Sequence, residues 1–382
     1  MLMAYDSYIG NNFKTVAADP ESPDANCWHN LRLIRSFDGG PEEATFILAH
    51  LEIEAHSPKL VRAYNKLLAA CADENLDLCR QGLEDLKAAQ EQILVSQLKM
   101  FNASDPKHYA RYVRPWIFGF RNNPDFPDGV TYEGCARPGP WFLSGETGAQ
   151  SSMIPSQDIV LGISHRNDPL KKFLQDLEDY RPYPHRRYLR FLRQSFHTPP
   201  RHVHSRDPVD DDDETAGMAE GATHATHRLR ALVARDKELV KLHNECIRNV
   251  FYFRDTHVIF ADLYVARYSS REGATGGTPF KAYLRKHRDE SIRQQLQTFG
   301  DECIAEPGDG EFVSAASGDR YERDLRAAEE GEDGIPPMLS KLHEPLIKKH
   351  GNGDPSLSRK MYEDAVQMFG QVERHERGAH ML

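Results

Sequence analysis

The chain contains 382 residues, and its 48 Lys and Arg against 58 Asp and Glu give a formal net charge of −10, so nucleic acid is not expected to be its principal ligand. It contains no apolar run long enough to span a membrane, and its first residues lack the charged-then-apolar pattern of a signal peptide. Because its six cysteines show neither a C-x-x-C pair nor the spacing of a disulfide framework, we expect a reduced, cytoplasmic protein.

The spacing of apolar residues predicts an all-α fold with no internal repeat. Residues 1–41 are turn-rich and predict a short N-terminal arm. Helical spacing extends from residue 42 to about residue 304, which predicts one helical domain, and no stretch of clean alternation exceeds five residues. The predicted helices cover residues 42–55, 59–70, 76–101, 106–119, 156–163, 169–180, 184–196, 225–250 and 250–268, with a kink or an end at Pro115 and a helical register that continues past residue 288 to about 303.

Three further segments are expected to be loops or to lie outside the helical domain. Residues 119–148 hold many Gly, Pro and Asn residues and predict an ordered surface loop. Residues 199–222 are charged and turn-rich, which predicts a flexible surface loop. We interpret the histidines around its acidic run as part of a solvated insert rather than as a metal site: His202, His204, His224 and His227. Residues 305–382 predict a C-terminal extension with an exposed final helix at 356–375.

The segment from residue 250 to residue 268 is the most informative one in the chain. It lacks Gly and Pro, is rich in aromatic residues and repeats its apolar residues at helical spacing, so it predicts a largely buried helix. His257 lies within this helix, and Arg254 lies one turn earlier on the same face. A histidine and a cation in this arrangement can hold a haem iron and a haem propionate. The alternative is a core histidine that is hydrogen-bonded to a neighbour.

Four ordered sequence blocks resemble the indoleamine 2,3-dioxygenase family of haem proteins. The first is R-D-T-H at residues 254–257, followed by G-A-T-G-G-T-P-F at 273–280. The second is G-E-T-G-A-Q-S-S at 145–152, followed by D-I-V-L-G-I at 158–163. The others lie at 114–134, which contains G-F-R-N-N-P and Y-E-G, and at 174–192, which contains Y-R-P-Y-P-H-R-R. The resemblance implies a bacterial- or fungal-type member with a helical haem-binding domain and a reduced N-terminal small domain.

The same resemblance implies roles around a haem b group. His257 matches the proximal ligand of the iron, Arg254 matches a propionate-side arginine, and Asp158 matches the carboxylate partner of that arginine. Two more residues match a wall of the pocket: Thr147 and Gly148. The chain departs from the family pattern at Glu146, where a glycine is expected. A carboxylate near a propionate must point away from it or be neutral.

Substrate-binding residues are implied in the same way. Arg114 matches the arginine that binds the substrate carboxylate, a task that suits the planar guanidinium group. Arg111, on a different helical face, is the competing candidate. Phe46 and Tyr109 match aromatic residues beside the indole. Thr275 matches a residue that hydrogen-bonds the amino-acid end of the substrate, in a glycine-rich loop that is expected to close over it.

His50 is the candidate catalytic residue on the distal side of the pocket. It follows Phe46 by four residues, so the two share one helix face. The resemblance implies that a histidine here hydrogen-bonds the indole N–H; it could equally orient oxygen or act as a base. The alternative is a histidine on the helix surface.

The resemblance implies a haem-dependent dioxygenase that inserts O2, its co-substrate, across the indole C2–C3 bond of L-tryptophan or a close derivative, giving an N-formylkynurenine-type product. Three other interpretations remain open: a haem-dependent oxygenase that hydroxylates or rearranges a substituted indole or tryptophan in secondary metabolism, a non-catalytic haem sensor or carrier, and a helical scaffold that has lost haem. The expected partner is a small indole, with no nucleic acid and no membrane, and the oligomeric state stays open.

Overall fold

The computed structural model describes these residues of the chain: 4–16, 30–102, 105–136, 139–165, 169–197, 227–261, 264–265, 268, 275, 281–296, 298–299 and 302–303. The predicted loop 199–222 and the predicted C-terminal extension 305–382, with its final helix, lie outside the described residues. None of the described helices combines the length and the apolarity that crossing a membrane requires.

The described residues are mainly helical, which confirms the all-α prediction. The α-helices in this part of the chain are α1 (Pro41–Glu54), α2 (Ser57–Asp73), α3 (Leu76–Leu98), α4 (Pro106–His108), α5 (Met153–Leu161), α6 (Pro169–Asp176), α7 (Tyr183–Phe196), α8 (Arg228–Val233), α9 (Lys237–Ala261) and α10 (Lys281–Arg293). Single turns of π-helix lie at Asp6–Gly10 and Tyr109–Val113, and 3₁₀ turns lie at Lys99–Asn102, Arg114–Ile117, Gly148–Gln150 and Leu177–Tyr180. Four short strands form two antiparallel hairpins, β1 (Phe13–Thr15) with β2 (Leu31–Leu33) and β3 (Thr298–Phe299) with β4 (Glu302–Cys303).

The core is centred on α3, which packs against α2 on one side and α9 on the other. Fully buried side chains fill these interfaces: Tyr64, Leu67, Leu83, Leu86, Ile247 and Phe251. The buried Gln90 of α3 donates hydrogen bonds to Oε1 of Gln157 on α5 (2.9 Å) and to the carbonyl oxygen of Cys246 on α9 (3.1 Å). Because a buried amide is stable only where its polar atoms are paired, this residue fixes the relative positions of three helices.

The N-terminal arm packs onto the helical domain. The backbone N–H of Tyr5 donates to Oε1 of Gln150 (2.7 Å), and its phenol donates to Oε1 of Glu54 at the end of α1 (3.1 Å). At the start of α1, the buried carboxylate of Glu43 accepts hydrogen bonds from the backbone N–H groups of residues 37–39. These contacts place Tyr5 beside the cavity described below.

The predicted helix 225–250 is not continuous, because its described residues form two separate helices, α8 and α9. α8 ends at Val233 and α9 begins at Lys237. Between them, Oδ1 of Asp236 accepts a hydrogen bond from the backbone N–H of Leu239 (2.8 Å), which is the contact of a helix N-cap. α9 then runs through position 250 to Ala261, so the histidine helix is the second half of a longer one.

The helical register that was predicted to reach residue 303 ends earlier. α10 ends at Arg293, and Thr298 and Phe299 pair with Cys303 and Glu302 in a short hairpin. The sequence between the two strands is Gly-Asp, which is typical of two-residue hairpin turns. This local turn signal outweighs the helical spacing of the preceding residues.

Candidate active site

One cavity of about 340 Å³ lies between α1, α5 and α9 and the turns that follow α4. All ten residues that the sequence singled out for the site line it: Phe46, His50, Tyr109, Arg114, Thr147, Gly148, Asp158, Arg254, His257 and Thr275. Aromatic and aliphatic side chains make up much of the remaining wall: Met100, Ile154, Leu174, Phe253 and Phe260. An apolar cavity of this size with a few convergent polar groups is the usual form of a small-molecule site.

His257 presents its ring to the cavity. Its side chain is exposed there, whereas those of its neighbours Thr256 and Val258 are buried. The ring makes no hydrogen bond within the described part of the chain. The surrounding protein shields the imidazole from bulk water, and this desolvation, followed by the positive charge of Arg254, lowers the pKa of His257. The imidazole is therefore neutral at neutral pH. A neutral imidazole offers the nitrogen lone pair that a haem iron needs.

Arg254 is held from two sides. One amino group donates to Oδ2 of Asp158 on α5 (2.6 Å), and the other donates to Oγ of Ser291 on α10 (2.6 Å). Burial by itself would raise the pKa of Asp158, but Arg254 and then His165 outweigh burial, and the pKa lies below its ordinary value. Both members of the pair are therefore charged. The guanidinium has five N–H groups, so these contacts leave donors for an anion in the cavity.

A second polar cluster lies beside this ion pair. His165, His287 and Glu290 place possible ligand atoms within 4.8 Å of one another, as in a metal site. However, the two imidazole rings stack with centroids 4.1 Å apart and planes 1° apart. Parallel stacked rings direct their in-plane lone pairs side by side rather than at one point. Since His165 also contacts Glu290 (3.1 Å) and Asp158 (3.4 Å), we interpret the cluster as a hydrogen-bonded support for the ion pair.

The aromatic wall is formed where α1 meets the turn after α4. The rings of Phe46 and Tyr109 lie 4.5 Å apart, and the ring of Phe260 on α9 lies 6.3 Å from that of Phe46. Tyr109 lies at the start of the π turn, which gives way to a 3₁₀ turn at Arg114–Ile117, as expected from the proline at position 115. These rings provide a flat apolar surface against which an indole can stack.

His50 lies on the same wall and is partly buried, which excludes the alternative of a helix-surface histidine. Its ring contacts Phe46 edge to face, with centroids 4.5 Å apart. Nδ1 lies 2.9 Å from the carbonyl oxygen of Phe46, so Nδ1 carries the proton and donates it. Burial lowers the pKa of His50 to about 4. The ring is therefore neutral, and Nε2 remains as a hydrogen-bond acceptor.

The structure distinguishes the two candidate arginines. Arg114 is buried, with 4% of its surface exposed, and its guanidinium lies 4.4 Å from the centroid of the Phe118 ring. Arg111 is exposed and is not part of the cavity wall. Trp116, two residues along the chain, is itself 54% exposed, so other residues bury Arg114.

Three segments of backbone cross at one end of the cavity. The N–H of Gly119 donates to the carbonyl oxygen of Thr275 (3.2 Å), and the Thr275 hydroxyl donates to the carbonyl oxygen of Glu146 (2.8 Å). A Cβ atom on Gly145 would lie 2.3 Å from the carbonyl oxygen of Ile117 and 2.5 Å from that of Thr275. Only glycine fits such a crossing. Thr275 belongs to the predicted glycine-rich loop, whose other residues at 273–278 lie outside the described ones.

Two comparisons with known proteins bear on this site. The family model for indoleamine 2,3-dioxygenase matches residues 2–298 of the chain. The chain belongs to the indoleamine 2,3-dioxygenase family. It is 24% identical to indoleamine 2,3-dioxygenase 1 of Mus musculus over 312 residues, which cover 77% of this chain and 68% of the mouse protein. It is also 27% identical to indoleamine 2,3-dioxygenase acdA of Aspergillus candidus over 276 residues, covering 68% and 61% of the two chains, and 23% identical to the Saccharomyces cerevisiae enzyme over 353 residues, covering 76% and 68%.

Members of the indoleamine 2,3-dioxygenase family are haem-dependent dioxygenases, and the residues of this cavity fit a haem group. A ligand of the right chemistry, the His257 imidazole, is exposed to the cavity with no hydrogen-bond partner within the described residues. Arg254 offers a positive charge one turn away for a propionate. Apolar side chains line the cavity on the same helix, at Phe253 and Phe260, as a flat macrocycle requires.

Sequence reasoning did not include three polar residues of the cavity among its site residues: Tyr5, Glu54 and Glu146. Glu54 follows Phe46 and His50 at intervals of four residues, so the helical periodicity of α1 would have found it. No local signal marks Tyr5, because only the packing of the N-terminal arm brings it here. Glu146 was visible as a departure from the family pattern. The structure places it in the cavity wall with 5% exposure, and burial raises its pKa to about 8, so it is neutral at neutral pH.

Proposed function

We propose that this protein is a haem-dependent dioxygenase that inserts both atoms of O2 across the indole C2–C3 bond of L-tryptophan or a close derivative, giving an N-formylkynurenine-type product. The observation that carries the proposal is the convergence of His257, the aromatic wall and the buried Arg114 on one cavity. A free ligand nitrogen, a surface for an indole and a cation for a carboxylate are the groups that this reaction needs.

On the proximal side, His257 would hold haem through its neutral imidazole, and Arg254 would pair with a propionate. Asp158 keeps Arg254 in place through the 2.6 Å ion pair, and Ser291 holds the second amino group of the same guanidinium. When bound, haem supplies the redox-active iron on which dioxygen chemistry depends.

On the substrate side, Phe46 and Tyr109 would hold the indole between aromatic faces. His50, whose Nδ1 proton is engaged by the Phe46 carbonyl, would accept the indole N–H at Nε2 and so orient the C2–C3 bond. Arg114 would bind the substrate carboxylate in a buried position where water does not compete for the guanidinium. Thr147, Gly148 and Thr275 would complete the wall of the pocket near the amino-acid end.

The deciding experiment is mass spectrometry of the products formed by the haem-loaded ferrous protein from L-tryptophan under ¹⁸O-labelled dioxygen. A product that carries both atoms of one dioxygen molecule supports the proposal. A single labelled atom would support an oxygenase that hydroxylates indoles instead. A protein that binds haem stoichiometrically and turns over neither L-tryptophan nor substituted indoles would be a haem sensor or carrier.

A further inference from the structure

Glu146 carries a buried carboxyl group that, within the described part of the chain, makes no hydrogen bond and no ion pair. The other two carboxyl groups of the cavity are paired. Glu54 accepts hydrogen bonds from Ser151 (2.6 Å) and Tyr5 (3.1 Å), and Asp158 accepts one from Arg254 (2.6 Å). Because a buried carboxyl without a partner destabilises a fold, its presence in a ligand cavity indicates that a ligand supplies the partner.

The position of Glu146 is fixed by its backbone neighbours. Its own carbonyl oxygen accepts the hydroxyl proton of Thr275 (2.8 Å), and the carbonyl of Gly145 accepts a hydrogen bond from Nε2 of Gln150 (3.0 Å). At Gly145 the backbone passes so close to two other segments that a side chain has no space there. The carboxyl group is therefore held at the wall of the cavity on a rigid turn, as a preorganised binding group must be.

The charges around Glu146 suit an organic cation. Tyr5, Tyr8 and Tyr109 lie close enough to Glu146 that its carboxylate, when ionised, would add to the effect of burial and raise the pKa of each phenol, whereas Arg114 lowers the pKa of Tyr109. Besides Glu146, the cavity wall contains the guanidinium group of Arg114 and the rings of Tyr5 and Tyr109. Carboxylates and aromatic faces are the groups that recognise ammonium ions in proteins.

We propose that Glu146 forms an ammonium subsite of this cavity, which selects indole substrates that carry a protonated primary amine. The proposal rests on the proposed function in one respect, namely that the cavity is where the indole binds. Since Arg114 lines the same cavity, the two residues together are complementary to the ammonium and carboxylate groups of a free amino acid. An arylalkylamine that lacks the carboxylate would use Glu146 alone.

Binding of an ammonium group has a consequence for the proton on Glu146. In the ligand-free protein, burial raises the pKa of Glu146 to about 8, so the group is mostly protonated at pH 7. A cation beside it favours the carboxylate, and the proton then leaves for the solvent. We expect release of about one proton for each amine bound at pH 7, and none for a ligand without an amine.

The experiment is isothermal titration calorimetry of the haem-loaded, full-length protein at pH 7 in two buffers with different ionisation enthalpies. Three indoles are compared, namely L-tryptophan, tryptamine and indole-3-propionate, which carry both groups, the amine alone and the carboxylate alone. The test variant is Glu146→Gln. The matched control is Glu54→Gln, the same change at a carboxyl that lines the same cavity but already has protein partners.

Glu146→Gln should weaken the binding of L-tryptophan and of tryptamine by at least about 10-fold and abolish the proton release that accompanies it. The affinity for indole-3-propionate should stay unchanged or increase. Glu54→Gln should not discriminate among the three ligands. Equal effects of Glu146→Gln on all three ligands, or proton release that persists in this variant, would overturn the subsite.

The outcomes also separate this proposal from the proposed function. If the protein prefers amine-bearing ligands, loses that preference in Glu146→Gln and cleaves no indole ring, the subsite is supported and the dioxygenase proposal is contradicted. If the protein cleaves the indole ring and its ligand preference is the same in the wild type and in Glu146→Gln, the dioxygenase proposal is supported and the subsite is contradicted. A wild-type protein that binds none of the three indoles would overturn both.

Discussion

Asp158 on α5 and Arg254 on α9 form an ion pair with a distance of 2.6 Å between Oδ2 and Nη2, although 96 residues separate them in the chain. Because Arg254 also contacts Ser291 of α10 at 2.6 Å, this one guanidinium joins three helices. The ion pair lies one turn from His257 and fixes the helix face that presents the imidazole to the cavity.

His257→Ala should abolish stoichiometric haem binding, because the variant lacks the only imidazole that the described part of α9 presents to the cavity. The measurement is a haem titration followed at the Soret band, with added imidazole as a test of rescue. His185→Ala, a change at an exposed histidine outside this cavity, is the control. A normal histidine-ligated spectrum in His257→Ala would contradict the assignment of the ligand.

Arg114→Ala should weaken the binding of L-tryptophan by about 2–5 kcal/mol, the cost of removing one partner of a buried charge pair. The binding of tryptamine, which has no carboxylate, should be weakened much less by the same substitution. Arg111→Ala is the control, since Arg111 is exposed and lies three residues before the buried Arg114. Titration of both ligands against both variants measures the effect. If Arg111→Ala proves the more damaging change, the carboxylate is bound elsewhere.

His50→Ala should lower kcat/KM for L-tryptophan by a factor that corresponds to about 1–2 kcal/mol, because the indole N–H loses its acceptor at Nε2. The same substitution should have little effect on 1-methyl-L-tryptophan, whose ring nitrogen has no proton to donate. Steady-state kinetics of both substrates on both proteins form a double-mutant cycle. Equal losses for the two substrates would assign His50 to another role, such as orienting oxygen.

The contribution of Glu146 to the stability of the ligand-free protein should fall as the pH rises from about 5 to about 8. Burial raises the pKa of Glu146 to about 8, above its ordinary value, so its contribution to stability is full at low pH and is lost as the pH rises through the folded-state pKa. The slope is about 1.4 kcal/mol per pH unit. Glu146→Gln should therefore raise Tm at pH 8 and have less effect at pH 5. Asp128→Asn, at an exposed carboxyl, is the control in the same melting experiments. A difference in Tm between wild type and Glu146→Gln that stays constant across this pH range would contradict a raised pKa for Glu146.

Gly145→Ala should destabilise the fold by about 1–3 kcal/mol, because the new methyl group would overlap carbonyl oxygens at 2.3 and 2.5 Å. Gly148→Ala, three residues along the same turn, provides the matched control, since a Cβ atom there meets nothing within 4 Å. Denaturant unfolding of both variants gives the comparison. A Gly145→Ala protein as stable as the wild type would show that the crossing of the three segments is looser than described.

The spacing of apolar residues along the sequence predicted most of the helices. The apolar spacing in α1, α2 and α3 gave helices with ends within a few residues of those observed, since helical periodicity reflects which face is buried. The aromatic helix was predicted to reach residue 268, whereas α9 ends at Ala261. The break before Lys237 was missed, because an N-cap at Asp236 competes with a strong helical pattern on both sides. The pairing of Thr298 and Phe299 with Cys303 and Glu302 was missed because the helical spacing of the preceding residues was extended through the Gly-Asp signal in the sequence.

The sequence by itself determined the candidates for the family chemistry, since His257, Arg254, Asp158 and Arg114 lie in short motifs that are readable without coordinates. Their convergence on one cavity, the burial of Arg114 and the exposure of Arg111 depend on how helices distant in the chain pack. The same packing brings Tyr5 to the cavity and leaves Glu146 without a partner among the described residues. Motifs record the chemistry of single positions, whereas burial, pairing and pKa arise from contacts between segments, and only the tertiary structure decides those contacts.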